Sequence, residues 1–203
     1  MFILTKIADL VQIEPQDFDK HASLAIENNI NAKYANRVIQ KIGLCICIYD
    51  LLSSSEGLIG HGTGLVNVNV EFRMVVFRPF KHEVMLGKIS SATKDGINIQ
   101  TDFFKDIFVP VENLPEGAMF NTAEQCFIWN TGEDTLYYDN HEIVRFRVVN
   151  EVWTDQAPTK ATGDGEEIVK KSPYGIIASM EDSGMGPCLW WDDESGEDAQ
   201  MSG

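Results

Sequence analysis

Apolar and polar positions alternate most regularly over residues 66–76, where Val66, Val68, Val70, Phe72, Met74 and Val76 alternate with Asn67, Asn69, Glu71 and Arg73. A period of two predicts a strand with one face buried, as in an antiparallel sheet, and Pro79 ends it. Upstream, residues 1–11 are rich in Ile, Leu and Val and predict a first strand that stops before Glu14-Pro15. A helix is expected over 17–28, with Phe18, His21, Ala22 and Ala25 on one face and His21 at the edge of the core. A second helix is expected over 32–42, capped by Asn31, with Tyr34, Val38 and Ile42 facing one way and Gly43 as its left-handed stop. LCICIYDLL (44–52) predicts a buried strand on which Cys45 and Cys47 share a face. Residues 53–64, SSSEGLIGHGTG, hold three serines and four glycines and predict a long loop without regular structure. The first 80 residues thus predict an α+β domain of order β-α-α-β-β, a small antiparallel sheet with helices on one side.

Beyond Pro79 short runs are punctuated by Gly, Asp and Pro: EVMLGKIS (83–90), INIQT (97–101), DIFVPV (106–111), EIVRFRVVNEVW (142–153) and YGIIASM (174–180). Five short strands with turn signals predict an all-β, five-stranded closed barrel of the OB-fold type over 81–191. Two inserts interrupt it, a polar-aromatic one at 121–140 and a polar one at 155–173; the latter and the acidic tail 192–203 are expected to be disordered. Between the halves, VVFRPFKHEV (75–84) contains no Gly/Ser-rich linker, so the two are expected to move together.

Charge narrows the function. The chain of 203 residues carries a net −15, and the excess is uneven: 7 basic against 8 acidic groups in 1–80, 6 against 13 in 81–155, and 3 against 10 in 156–203. General duplex binding needs the reverse balance, because its affinity comes from neutralising phosphates. The opening MFILTKIADL is broken by Lys6 and Asp9 and does not form a signal peptide, and no run approaches the roughly 18 apolar residues of a membrane span. A soluble, intracellular protein is expected. Cys45, Cys47, Cys126 and Cys188 lack zinc-site spacing, and a core role stands beside a metal role for them.

No nucleophile and base, carboxylate pair or metal set has a recognisable spacing, and Gly60, Gly62 and Gly64 lead into a strand rather than a helix, unlike a phosphate-binding loop. The expectation is a non-catalytic binding protein without cofactor or metal. Arg145 and Arg147 alternate with Val144, Phe146 and Val148, so both face outward and suit either a phosphate backbone or plain solvent. Phe103, Phe104, Trp129, Tyr137 and Tyr138 offer either base-stacking surfaces or packing.

Five stretches, GLCICIYDL, MVVFRPFKHEVMLGKISS, DIFVPVENLPEGAMFN, EIVRFRVVNEVWTD and ASMEDSGMGPCLWW, resemble the larger stalk subunit of archaeal and eukaryotic RNA polymerases, nearest to the RNA polymerase III version. The resemblance runs from residue 1 to about 191. It implies a tip domain over 1–80 and an S1-type OB-fold after it. The tip domain would dock on the polymerase core near the clamp through a loop at 52–64, with Leu52, Leu58, Ile59 and His61 as its contact residues. It also implies a heterodimer with a smaller, mostly helical stalk subunit, a role in transcription initiation with initiation factors as partners, contact with single-stranded RNA and a nuclear location. Where S1 modules carry an FGAF-like run and a histidine, this chain has Gly96-Ile97-Asn98-Ile99 and Val109-Pro110-Val111. RNA contact then falls to Lys88, Lys94, Lys105, Arg145 and Arg147, with weak, salt-sensitive affinity. The alternative is a free-standing S1-type RNA-binding protein of translation or RNA decay.

Overall fold

The computed structural model describes residues 1–132, 134–155 and 172–191. The chain divides into two compact units, Met1–Pro79 and the residues from Phe80 onward.

The first unit is built from β1 (Phe2–Ile13), α1 (Ala22–Tyr34), β2 (Arg37–Ile39), β3 (Gly43–Ser54), β4 (Leu58–Ile59) and β5 (Val66–Phe77). Its sheet runs β1-β5-β3-β2, with β4 also pairing β5, and every pairing is antiparallel. The alternation over β5 holds in full: Val68, Val70, Phe72, Met74 and Val76 are buried and, with Val11, Ile13 and Cys45, pack against Ala25, Ile26 and Ile30 of α1. Each such side chain contributes on the order of 1.5–3 kcal/mol when fully buried.

One helix stands where two were expected. α1 begins after the 17–20 region and runs through Asn31, because Ile26, Ile30 and Tyr34 continue a four-residue spacing onto the sheet. Phe18 and His21 lie outside the helix and are exposed. Asn31 is not a cap; its Oδ1 accepts a hydrogen bond from the Ile48 N–H at 2.9 Å. After Ala35 the backbone turns at Asn36, φ +58, a left-handed value that Asn tolerates. The chain then pairs as β2 with β3, so Val38 lies on a strand. Gly43 stops no helix. It opens β3 at φ +138, where a Cβ would stand 2.6 Å from the Phe77 carbonyl oxygen.

β3 is interrupted by three bulges against β5, between Cys45 and Cys47, Ile48 and Asp50, and Leu51 and Ser53. The extra residue at Ile46 reverses the faces, so Cys45 is buried and Cys47 exposed, contrary to the shared face expected from their spacing.

The second unit contains β6 (Val84–Thr93), β7 (Gly96–Gln100), β8 (Ile107–Pro110), β9 (Ala118–Asn121), β10 (Cys126–Asn130), β11 (Thr135–Tyr138), β12 (Ile143–Trp153), β13 (Tyr174–Ser179) and β14 (Gly186–Pro187). Neighbour pairing runs β8-β7-β6-β12-β13, and β13 pairs back to β8 in parallel, which closes a five-stranded barrel consistent with the OB-fold. Ile89, Ile97, Ile99, Ile107, Val109, Val144, Phe146 and Ile176 fill it. The 121–140 insert belongs to a small antiparallel sheet, β11-β10-β9, whose first strand begins before the expected insert boundary. Trp190 packs on Trp129 at 5.8 Å and on Tyr138 at 4.8 Å between ring centroids. Most of the 155–173 connection and the whole tail 192–203, read as disordered from sequence, lie outside the described residues.

Candidate functional site

Two surfaces hold the candidate residues, one on each unit. On the first, the 53–64 segment is largely ordered by backbone pairing rather than being an irregular loop. β3 continues to Ser54, and the Ser55 N–H donates to the Asn69 carbonyl at 2.8 Å. β4 then aligns Leu58 with Asn67 and Ile59 with Val66, and the Gly60 N–H donates to the Leu65 carbonyl at 2.7 Å. On this backbone Leu58 is 69% and Ile59 75% exposed. Apolar side chains held out on an ordered frame suit burial by a protein partner, since the frame loses little conformational entropy on docking. His61 is exposed in the following turn.

Leu52 is also exposed, as the extra residue of the third bulge. It lies beside the Glu71–Phe72 part of β5, whereas β4 lies beside Val66–Asn67. At about 3.3 Å per strand residue these positions are roughly 17 Å apart. The structure therefore groups Leu58 and Ile59 with His61 and leaves Leu52 further along the sheet.

On the second unit, β12 turns Val144, Phe146 and Val148 into the barrel and Arg145 and Arg147 outward. Both guanidinium groups already have partners in the segment after β13. Arg145 Nη1 donates to the Gly184 carbonyl at 3.0 Å, and Arg147 Nη1 lies 2.8 Å from the Asp182 carboxylate. Lys88 on β6 and Lys105 border one open depression, together with Leu86, Gln100, Asp102 and Ile143. Lys94 stands apart in the β6–β7 turn. The five basic residues thus form two groups and an outlier.

Sequence reasoning missed what lies between them. Leu86 faces Arg145, Val84 faces Arg147 and Ile143 faces Lys88 across the β6–β12 ladder, and all three apolar side chains are exposed. The signal was present in the alternation of β6, whose polar-side register holds Val84 and Leu86. A mixed apolar and basic face suits a protein surface as well as a phosphate chain. Of the aromatic candidates, Phe104 and Tyr138 are buried, Trp129 packs on Trp190, and Phe103 and Tyr137 remain exposed.

Two of the thiols are poorly suited to act as nucleophiles. Burial pushes the Cys45 thiol up to about 11, and burial with the nearby Glu124 and Asp139 charges raises that of Cys126. Both are the reverse of what a nucleophilic thiolate needs. No helix among the described residues is long and apolar enough to cross a membrane.

Comparison with known proteins covers both units. The family described as RNA polymerase III subunit Rpc25 matches residues 83–191, and the SHS2 domain found in the N terminus of Rpb7p/Rpc25p/MJ0397 matches residues 8–64. The chain is 41% identical to DNA-directed RNA polymerase III subunit rpc8 of Schizosaccharomyces pombe, over 94% of this chain and 100% of that protein. It is 40% identical to the RPC8 subunit of Saccharomyces cerevisiae, over 95% and 100% of the two chains. Against the RPC8 subunit of Bos taurus it is 37% identical, over 94% and 98%. With more than half its length matched by the family and relatives aligned nearly end to end, the chain belongs to the RNA polymerase III subunit Rpc25 family.

Proposed function

We propose that this chain is the larger stalk subunit of a nuclear DNA-directed RNA polymerase III and that it works without catalysing a reaction itself. The observation that carries the reading is the union, in one chain, of an SHS2-type first unit bearing the exposed Leu58–Ile59 pair and an Rpc25-type second unit. In this reading the first unit docks on the polymerase core near the clamp, with Leu58 and Ile59 buried there, His61 beside them and Leu52 at a second point of contact. A smaller, mostly helical stalk subunit completes a heterodimer. The second unit offers surface to initiation factors, and emerging single-stranded RNA passes along Lys88, Lys94, Lys105, Arg145 and Arg147. Nucleotide addition belongs to other subunits.

Affinity purification of the tagged full-length chain from nuclear extract, followed by mass spectrometry, tests this reading. The expected result is recovery of the polymerase III subunits with one small helical partner. Recovery as a free monomer would overturn it.

A further inference from the structure

The small sheet β9–β11 has two faces of different character. Inward, Phe127 pairs across the strands with Phe120 and Tyr138, and Phe127 and Tyr138 are fully buried. Outward, Ile128 pairs with Met119 on one side and Tyr137 on the other, so the three form a single apolar row across the sheet. Met119 is 62% and Tyr137 41% exposed. Three strands place the ends of this row roughly 10 Å apart.

The charge around the row has one sign. Residues 111–142 contain seven Asp and Glu and no Lys or Arg. Two of these acids mark the two ends of the sheet. Glu124, exposed in the β9–β10 turn, accepts a hydrogen bond from Asn121 Nδ2 at 3.0 Å. Asp134, exposed in the β10–β11 turn, accepts from the Thr131 N–H and hydroxyl through its backbone carbonyl. A phosphate chain is repelled by such a surface. A wholly apolar partner would leave these carboxylates desolvated at its rim.

We infer that the Met119–Ile128–Tyr137 row is a docking surface for a Lys/Arg-rich, extended segment of another protein. The segment runs along the strands and crosses the row, laying an apolar side chain on it while basic side chains on either side reach the acids at the two sheet ends. Each turn begins three residues, or roughly 10 Å, from the row along the strands. A Lys or Arg two positions on either side of an apolar residue, about 7 Å along an extended segment, covers this distance with the reach of its long side chain. This surface lies on other strands than the β6–β12 face, and the inference stands whether or not RNA passes along the latter.

The test is fluorescence anisotropy with the full-length chain and a labelled peptide of repeated Lys-Ser-Leu-Ser. Two control peptides replace every Leu by Ala or every Lys by Glu, and an oligouridylate is the nucleic-acid probe. The Lys-Ser-Leu-Ser peptide is expected to bind and neither control peptide to do so, with at least about a tenfold loss on combining Met119→Ser and Tyr137→Ser, since the row supplies the apolar contact, while oligouridylate binding is unchanged by that substitution. Circular dichroism of the variant should match the parent chain, because both side chains are exposed. Absence of binding, equal binding of the Ala peptide, an unchanged affinity in the double variant, or loss of oligouridylate binding on that substitution would each overturn the inference.

Discussion

Arg147 on β12 is held by Asp182 at 2.8 Å, just beyond the point where Arg145 donates to the Gly184 carbonyl. A phosphate that meets these guanidinium groups must share or displace partners within the chain. An exposed pair of this kind is worth about 0–1 kcal/mol, so the competition is mild. Asp182→Asn is therefore expected to tighten oligouridylate binding by up to about fivefold at low salt, the equivalent of ~1 kcal/mol. Arg145→Ala with Arg147→Ala should weaken it and flatten its salt dependence. Anisotropy titrations across a salt series check both, and identical titrations for all variants would remove these arginines from the RNA path.

The link between β1 and α1 predicts a pH response. Asp9 receives hydrogen bonds from Tyr34 Oη at 2.7 Å and Lys33 Nζ at 2.5 Å. Burial pushes its pKa up, but the Lys33, Tyr34 and Leu10 N–H hydrogen bonds outweigh this and hold it below the ordinary 3.8. A depressed carboxylate pKa contributes stability that is present above the unfolded value and is lost as pH falls through the folded one. Urea unfolding of Asp9→Asn should show a deficit against the parent at neutral pH that shrinks below about pH 3.8. A deficit constant with pH would show that packing, not charge, is at work.

Gly96 carries the β6–β7 hairpin at φ +153, and a Cβ there would stand 2.1 Å from the Val109 carbonyl oxygen. Gly96→Ala is expected to destabilise by roughly 1–3 kcal/mol or more, from backbone strain and displacement of β8. A fall in the urea midpoint with little change in slope is the expected measurement.

Ile30 is fully buried between α1 and the sheet. Ile30→Ala should cost about 2–5 kcal/mol, the range for a truncated core side chain. A loss under about 1 kcal/mol would mean that the helix packs less tightly than described.

β5 was legible in the sequence because a period of two sustained over several residues has few rival explanations, and the barrel strands because short apolar runs stand between Gly, Asp and Pro turn signals. The helical region was harder. Two half-periodic patterns on either side of Asn31 suggested two helices with Asn31 capping the second, yet the deciding factor was the contact of Ile26, Ile30 and Tyr34 with the sheet, which no local propensity reveals. The same holds for β3, where the Cys45 and Cys47 faces depend on a bulge at Ile46 that exists only against β5. At the candidate sites the residue types were legible and their grouping was not. Leu52 parted from Leu58 and Ile59 because β3 carries the chain onward before β4 begins, and Asp182 lies 35 residues from Arg147 in sequence.

Docking of the β4 region on a polymerase III core places the Ile59 side chain against a core subunit. A photo-crosslinking amino acid in place of Ile59, 75% exposed in this structure, tests it within the native complex. Crosslinks from this position to a core subunit of polymerase III are predicted; crosslinks only to proteins outside the polymerase, or none, would show that β4 does not dock on the core.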